Sequence, residues 1–241
     1  MGVLVEGFER EPFFMMSYNY AFYDNLIKKC GYDKQEDFFS YLLSPKDFVE
    51  HQKLLKVKHK IEGNPAIKLR NLDLKNIEKE TKTMFDIYND AFLHHFGFVA
   101  FEKEEFKFMS KDMLQIINPK FLKILYLDNE PVAFILALPN LNKILKKLKN
   151  GKLFPFGILQ FLFMKSSIDE VRVINVAVKQ KYQHLGLGAV LYYAIFEEMK
   201  RHQYKIGQLS WVAEDNQAMI KAIEQLGATK ENTYSVYQKA L

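Results

Sequence analysis

The stretch of this chain best suited to chemistry is Gln183 to Gly188, Gln-His-Leu-Gly-Leu-Gly, with two glycines one residue apart. Before it lies Val171 to Val178, an apolar run rich in Val and Ile that only Arg172 and Asn175 interrupt, which reads as a buried strand. After it, Leu187, Val190, Leu191, Ala194, Ile195 and Met199 recur at helical spacing, and Glu197, Glu198, Lys200 and Arg201 close the segment. Glycines at a strand-to-helix turn let backbone N–H groups converge on an anion at the helix N-terminus, which suits a phosphate or pyrophosphate. The turn is not a dinucleotide-binding fingerprint, because the third glycine and the acidic strand end are missing. It is not a nucleotide-triphosphate loop either, since no Gly-Lys-Ser/Thr follows.

Two further elements follow. Ile206 to Ala213 is strand-like, and Glu214-Asp215-Asn216 leads to a helical pattern at Met219, Ile220, Ile223 and Leu226. Asn216 suits an N-cap and Gly227 a left-handed C-terminal stop. The arrangement resembles the acyl-CoA-binding motif of the GNAT acyltransferase superfamily: a strand ending Ala-Val, a short loop, then Gln/Arg-x-x-Gly-x-Gly/Ala opening a helix. Here these are Ala177-Val178, Lys179 to Tyr182, and Gln183 to Gly188. The resemblance runs from about Lys68 to the C-terminus and is specific at Ala177 to Gly188.

The resemblance implies an α+β GNAT fold, with a mixed, mostly antiparallel central sheet flanked by helices. It also implies acetyl-CoA or a longer acyl-CoA as co-substrate. Val176 and Val178, flanking Ala177, would bond the pantetheine amides. The N–H groups of His184, Leu185, Gly186, Leu187, Gly188 and Ala189 would hold the pyrophosphate, with Gln183 where Arg is also common and Asn216 on the following element. Direct attack of an amine on the thioester then needs a base for the amine and an acid for the leaving thiolate. Here the sequence departs from the family. Ile223 replaces the tyrosine that many members use as acid, and Arg172 replaces a glutamate that some use as base. Glu170, two residues earlier on the same strand face, and Glu214, at the end of the next strand, are the remaining catalytic candidates, each equally readable as a surface carboxylate or a cap.

The chain has 241 residues, 49% of them apolar, enough for one substantial core or two small ones. A net charge of +5 is compatible with an anionic ligand and too small to argue for nucleic acid. Cys30 is the single cysteine, so no intramolecular disulfide forms and a reducing compartment is expected. His51 and His59 lack metal-ligand spacing, and no metal is expected. The first residues, MGVLVEGFEREP, carry acids where an export signal needs an apolar stretch, so a cytoplasmic location is expected.

Two domains are expected. Residues 66–241 form the acyl-CoA-binding domain, starting with a strand at Ala66 to Leu69. Helices follow at Leu74–Phe96 and Glu102–Ile117, then a hairpin around Asp128-Asn129-Glu130-Pro131. An insertion at 141–165, basic then aromatic, packs as a helix over the acceptor side or touches a membrane surface. Residues 1–61 hold a strand at Pro12–Met16, a helix at Asn19–Lys29, a strand at Phe38–Leu43 and a polar helix at Pro45–Ile61. They align weakly with the C-terminal end, Asn19 opposite Asn216, Gly31 opposite Gly227 and Phe38 opposite Tyr234, as a partial GNAT-like segment would. Its many apolar residues call for burial against the rest of the chain, or in a homodimer.

The reading that follows is acyl transfer from acyl-CoA to an amine, acceptor and chain length unspecified. The alternative is a catalytically weak or inactive module that binds acyl-CoA or lipid, which the missing tyrosine keeps open. An aminoacyl-tRNA-dependent transferase also pairs two GNAT-like units, but the intact Gln-x-x-Gly-x-Gly matches a CoA-binding turn.

Overall fold

The computed structural model describes residues 2–49, 55–56, 59, 63–148 and 167–240. In chain order the strands and helices are β1 (Val3–Glu6), α1 (Phe22–Lys29), β2 (Asp33–Leu43), β3 (Ile67–Asn71), α2 (Ile77–Phe92), α3 (Lys103–Ile116), β4 (Leu122–Leu127), β5 (Glu130–Pro139), α4 (Asn142–Leu145), β6 (Glu170–Val178), α5 (Leu187–Arg201), β7 (Ile206–Ala213), α6 (Gln217–Gln225) and β8 (Thr229–Gln238). This is the expected α+β architecture, with eight strands, mostly antiparallel, flanked by helices. The chain divides into two compact units. One comprises Met1–Val49, Pro139–Arg172 and Gln203–Leu241, the other Glu50–Leu138 and Val173–His202.

In the second unit the strand order is β6-β5-β4-β3, with β3, β4 and β5 successively antiparallel. The β4–β5 hairpin turns on Asp128 and Asn129, both in the left-handed region (φ 50° and 65°), as a two-residue type I′ turn requires. Strand β5 is buried along nearly its whole length, consistent with its run of Val, Ala, Phe, Ile and Leu. Helix α3 starts in a capping box between Glu102 and Glu105 and stops just before Asn118-Pro119. It meets α2 through Phe106, which packs edge-on against Phe85 and lies 6.0 Å from Tyr88. Glu80 of α2 is buried and held bidentately by Arg70 of β3 at 2.7 and 2.8 Å.

In the first unit the order is β1-β8-β2-β7, every pair antiparallel. Its core gathers Leu4, Phe38 and Tyr234, with Phe8, Met16, Trp211, Ala213 and Val236 packed against them. The N-terminal segment is thus built into a sheet, as its apolar content requires. Phe38 is both the sequence-aligned equivalent and the cross-strand partner of Tyr234, so β2 and β8 pair about a local pseudo-twofold point.

Three local expectations change. Pro12–Met16 is irregular backbone and turn, and the N-terminal strand is Val3–Glu6 instead. Met15 sits at φ 62°, a conformation no extended strand holds, and Phe13 alone of the stretch is fully buried. Helix α1 buries none of its residues, so Phe22 and Leu26 remain about half exposed. Residues 45–49 form a turn tied to the end of α6 through Val49 N–H and Leu226 O, not the start of a helix. Of the rest of the expected helix to Ile61, residues 55, 56 and 59 are helical and the others lie outside the described residues, as does most of the expected 141–165 insertion; the described part of the insertion contains the short α4.

Candidate donor site and a buried charge cluster

The donor turn belongs to the second unit. Ala177 is fully buried near the end of β6, while Val176 and Val178 are partly exposed. A 3₁₀ run, Gln180–Leu185, follows and ends at Gly186, whose φ of 71° and ψ of 19° place it in the left-handed region where glycine is favoured. Gly186 is also the N-cap of α5, and no side chain caps that helix. The first N–H groups of a helix have no intrahelical acceptor, so those of Leu187 and Gly188 are available to an anion, and the helix dipole adds to the attraction.

Gly188 has no such backbone reason to be glycine. Its φ lies outside the left-handed region, and an added Cβ would meet only Val176 Cγ1, at 3.9 Å. The protein leaves room there that it does not itself use. One residue before Val176, Asn175 keeps its Oδ1 buried with no hydrogen-bond partner among the described residues, an acceptor that an amide N–H would satisfy. Both features fit the pantetheine–diphosphate arm of a CoA.

The turn is held from behind by the end of α2. Gln180 donates its backbone N–H to Asp90 Oδ1 (2.7 Å) and its side-chain amide to Asp90 O (2.9 Å). Gln183 donates Nε2 to the carbonyls of Val178 (3.1 Å) and Ala91 (3.4 Å). Its side chain therefore braces the loop. Glu130 pairs with Lys179 (2.8 Å) and accepts from Tyr182 Oη (2.9 Å), and these contacts hold its carboxyl below the usual range. His184 and Leu185 are exposed on the outer side of the turn.

The expected catalytic residues belong to the first unit, and neither is a free carboxylate. Glu214 accepts from the backbone N–H of Asp37 at 3.1 Å, while its own N–H donates to Asp37 O at 2.9 Å, latching β7 to β2. Asn216 caps α6 by accepting from Met219 N–H at 3.1 Å. Glu170 is buried, pairs with Lys143 Nζ at 2.7 Å and accepts from Asn140 Nδ2 at 2.8 Å. Arg172 is buried beyond it, donating Nε to Ser210 Oγ (2.8 Å) and Nη1 to Phe14 O (2.9 Å), with its guanidinium 4.8 Å from the Trp211 ring centre. Burial pulls the Arg172 pKa down to about 10.

The structure adds residues that sequence reasoning missed. Glu231 of β8 takes Arg10 Nε at 2.8 Å and Gln208 Nε2 at 3.0 Å, and burial, the largest influence on it, pushes its carboxyl up. Arg10 also lies 3.9 Å from Glu170. A cluster assembled from residues 10, 140, 143, 170, 208 and 231 has no local sequence signature, because its members meet only through the sheet and the loop before α1. Among the described residues no group of His, Cys, Asp or Glu could hold a metal ion, and no helix is long and apolar enough to cross a membrane.

The chain is 29% identical over its whole length to the bacterial ceramide synthase of Caulobacter vibrioides and 28% identical to protein YghO of Escherichia coli. It spans 64% and 62% of those relatives' own lengths. A GCN5-related N-acetyltransferase from Sphaerobacter thermophilus shares the fold, with a TM-score of 0.60 at 12% identity over 90% of this chain and 55% of that one. Residues 81–228 match the profile of the Acetyltransferase (GNAT) family, and the chain belongs to that family.

Proposed function

We propose that this protein is an N-acyltransferase that takes an acyl group from acyl-CoA and places it on the amine of a long-chain acceptor. The observation that carries the donor half is Gly188, a glycine whose missing Cβ serves no purpose within the protein and leaves room beside Val176. Bound there, acyl-CoA supplies an activated thioester. The chain's residues would hold its diphosphate with the N–H groups of the Gly186–Gly188 turn and its amides with the edge of β6 at Val176 and Val178. In the transfer, an N–C bond forms and the C–S bond breaks, while the amine's proton passes through a base and the thiolate gains a proton.

The acceptor half rests on kinship. One relative is named a ceramide synthase, and a ceramide is the N-acyl amide of a long-chain amino alcohol. We take the acceptor to be an amine of that class. Glu170 already holds one ammonium, that of Lys143, and Glu214 is the second carboxylate offered as base. The basic start of the 141–165 segment carries Lys147, Lys149 and Lys152 besides the paired Lys143 and Lys146, and suits contact with anionic headgroups, where such an acceptor resides. The pseudo-twofold pairing of β2 with β8 supports reading residues 1–61 as a partial second GNAT-like unit.

A second reading, a module that binds acyl-CoA without turnover, is favoured by one observation. Ile223 is fully buried where many members place the acid, and both glutamates are engaged. Calorimetry with CoA and an assay of thiol release from acyl-CoA with long-chain amines separate the readings. The wild-type chain should bind CoA and release thiol. Gly188→Val should stay folded and lose about a hundredfold in CoA affinity, roughly 2.7 kcal/mol. Unchanged affinity in a folded variant would remove the donor site, and binding without thiol release would establish the module.

A further inference from the structure

The first unit contains a groove of about 430 Å³ whose walls are Phe8, Pro12, Tyr18 and Leu145, with Arg10 and Lys146 among its polar lining. Lys146 is occupied by an ion pair with Glu11. Arg10 has a different position. It lines the groove and at the same time covers two carboxylates, Glu231 at 2.8 Å and Glu170 at 3.9 Å. The exposures are unequal: the Arg10 side chain is 41% exposed, those of Glu170 and Glu231 only 7% and 9%.

That inequality decides what can exchange. A guanidinium already in water loses little by swinging back into it, while a buried carboxylate stripped of its cation pays a large desolvation penalty. Lys143 and Asn140 remain on Glu170, and Gln208 remains on Glu231, but Gln208 brings no charge. Only another cation can replace Arg10 at Glu231 without leaving a buried charge unpaired. An apolar groove that begins at an exchangeable cation over a buried carboxylate has the chemistry of an amphipathic amine: hydrocarbon along the wall, ammonium at the end.

We propose that the groove seats the hydrocarbon chain of the amine acceptor and that the acceptor's ammonium takes the place of Arg10 at Glu231. This inference rests on the reading of the acceptor as a long-chain amine. It assigns Glu231, a residue without a sequence signal, as the counter-ion that selects a cationic headgroup, and it makes Arg10 a resident competitor for the same carboxylate. An anionic headgroup cannot take the place of Arg10 at Glu231, since it would repel that carboxylate; it would have to pair with Arg10 where it stands, the outcome that hexadecanoate tests.

The test is equilibrium binding of hexadecylamine, butylamine and hexadecanoate, each below its aggregation threshold and without CoA. The full chain is compared with Arg10→Ala, Glu231→Gln and Leu145→Trp, and thermal stability is recorded for each. Hexadecylamine should bind at least about a hundredfold more tightly than butylamine, because the added methylenes are buried. Arg10→Ala should bind hexadecylamine several-fold more tightly, the result that a purely structural Arg10 would not give. Glu231→Gln should weaken hexadecylamine about tenfold or more, and Leu145→Trp should weaken hexadecylamine while leaving butylamine unchanged. If Glu231→Gln fails to fold, the Arg10 and Leu145 variants still decide the matter. Hexadecanoate binding as tightly as hexadecylamine would overturn the proposal, as would unchanged or weaker amine binding in a folded Arg10→Ala protein. Failure here with CoA affinity intact would remove the groove alone; failure of CoA binding, read separately by calorimetry, would remove the donor reading and leave the groove standing.

Discussion

The donor turn and the buried charge cluster are built by opposite means. The turn is made of main chain from one contiguous stretch, residues 176–189, and in the proposed role its selectivity would come from where glycines allow backbone to approach a ligand. The cluster is made of side chains from segments far apart in sequence; Glu170 and Arg172 are buried and Glu231 nearly so, and the cations on the two carboxylates, Lys143 and Arg10, reach them from partly exposed positions. A main-chain site costs the fold little, since a helix N-terminus has unpaired N–H groups in any case. A side-chain site of buried charges is expensive to assemble and more expensive to break, because each missing partner strands another polar group out of water. Substitutions should therefore divide the two regions cleanly: loss of ligand without loss of stability in the first, loss of stability in the second.

The largest expected effect on stability tests the second half of that division. Arg172→Met removes a buried guanidinium that bridges Ser210, the Phe14 carbonyl and the Trp211 ring. The carbonyl is left without this donor, and the stacking on tryptophan is lost. Part of the loss is offset, because burial already penalises the charged form of Arg172, as its lowered pKa indicates. The net should be a destabilisation of about 2 kcal/mol, read as a lower urea midpoint. CoA affinity in the folded fraction should be unchanged. A stable variant with weakened CoA binding would reverse the division and show that the cluster, too, acts on the donor.

The same contrast explains what the sequence made legible. The elements from Ile67 to Gln238 follow from periodicity and turn chemistry. Gly227 is where left-handed backbone was expected, with φ of 92°, and Asn216 caps its helix. Family membership followed from the turn because its signal is local. Near the N-terminus the apolar run Pro12-Phe13-Phe14-Met15-Met16 looked like a strand. Yet Pro12 lacks an N–H, and Phe14 instead gives its own to Asn140 Oδ1 at 3.0 Å, so the stretch serves as a scaffold for the cluster. Short apolar runs carry no information about which distant partner will take their backbone bonds. Glu170 was visible as a carboxylate, but not that Lys143 and Asn140 would hold it, and Glu231 was not visible at all, since a lone glutamate entering a strand has no pattern.

A smaller effect tests the first half of the division. Gln183→Ala deletes the amide that bridges the Val178 and Ala91 carbonyls, on a side chain that is itself exposed. Water can replace those bonds, so the cost to stability should stay below about 1 kcal/mol. The loop loses its brace, however, and the backbone N–H groups that face the ligand lose part of their preorganisation. CoA affinity should fall several-fold with the urea midpoint nearly unchanged. If Gln183 instead contacts the diphosphate directly, Gln183→Arg should bind CoA more tightly than the wild type, an advantage that salt removes, whereas loss of a brace makes Gln183→Arg weaker at any salt.

The smallest effect separates charge from packing at the edge of the donor turn. Glu130 is half exposed, its partners are Lys179 and Tyr182, and the Lys179 hydrogen bond is the leading reason its carboxyl titrates below the ordinary value of 4.5. A carboxylate whose folded pKa is depressed contributes stability above its unfolded pKa and loses that contribution as pH falls through the folded one. The contribution is therefore complete at pH 7 and fades below about pH 4.5. Solvent screening keeps it small for so exposed a pair, under about 0.5 kcal/mol. Glu130→Gln should accordingly lower the urea midpoint slightly at pH 7 and not at all near pH 3, so that the two curves of stability against pH converge in acid. High salt at pH 7 should narrow the same gap. A gap that persists unchanged in acid and in salt would mean that Glu130 acts through the packing of its side chain under the turn, and that the donor region depends on side chains more than its main-chain design implies.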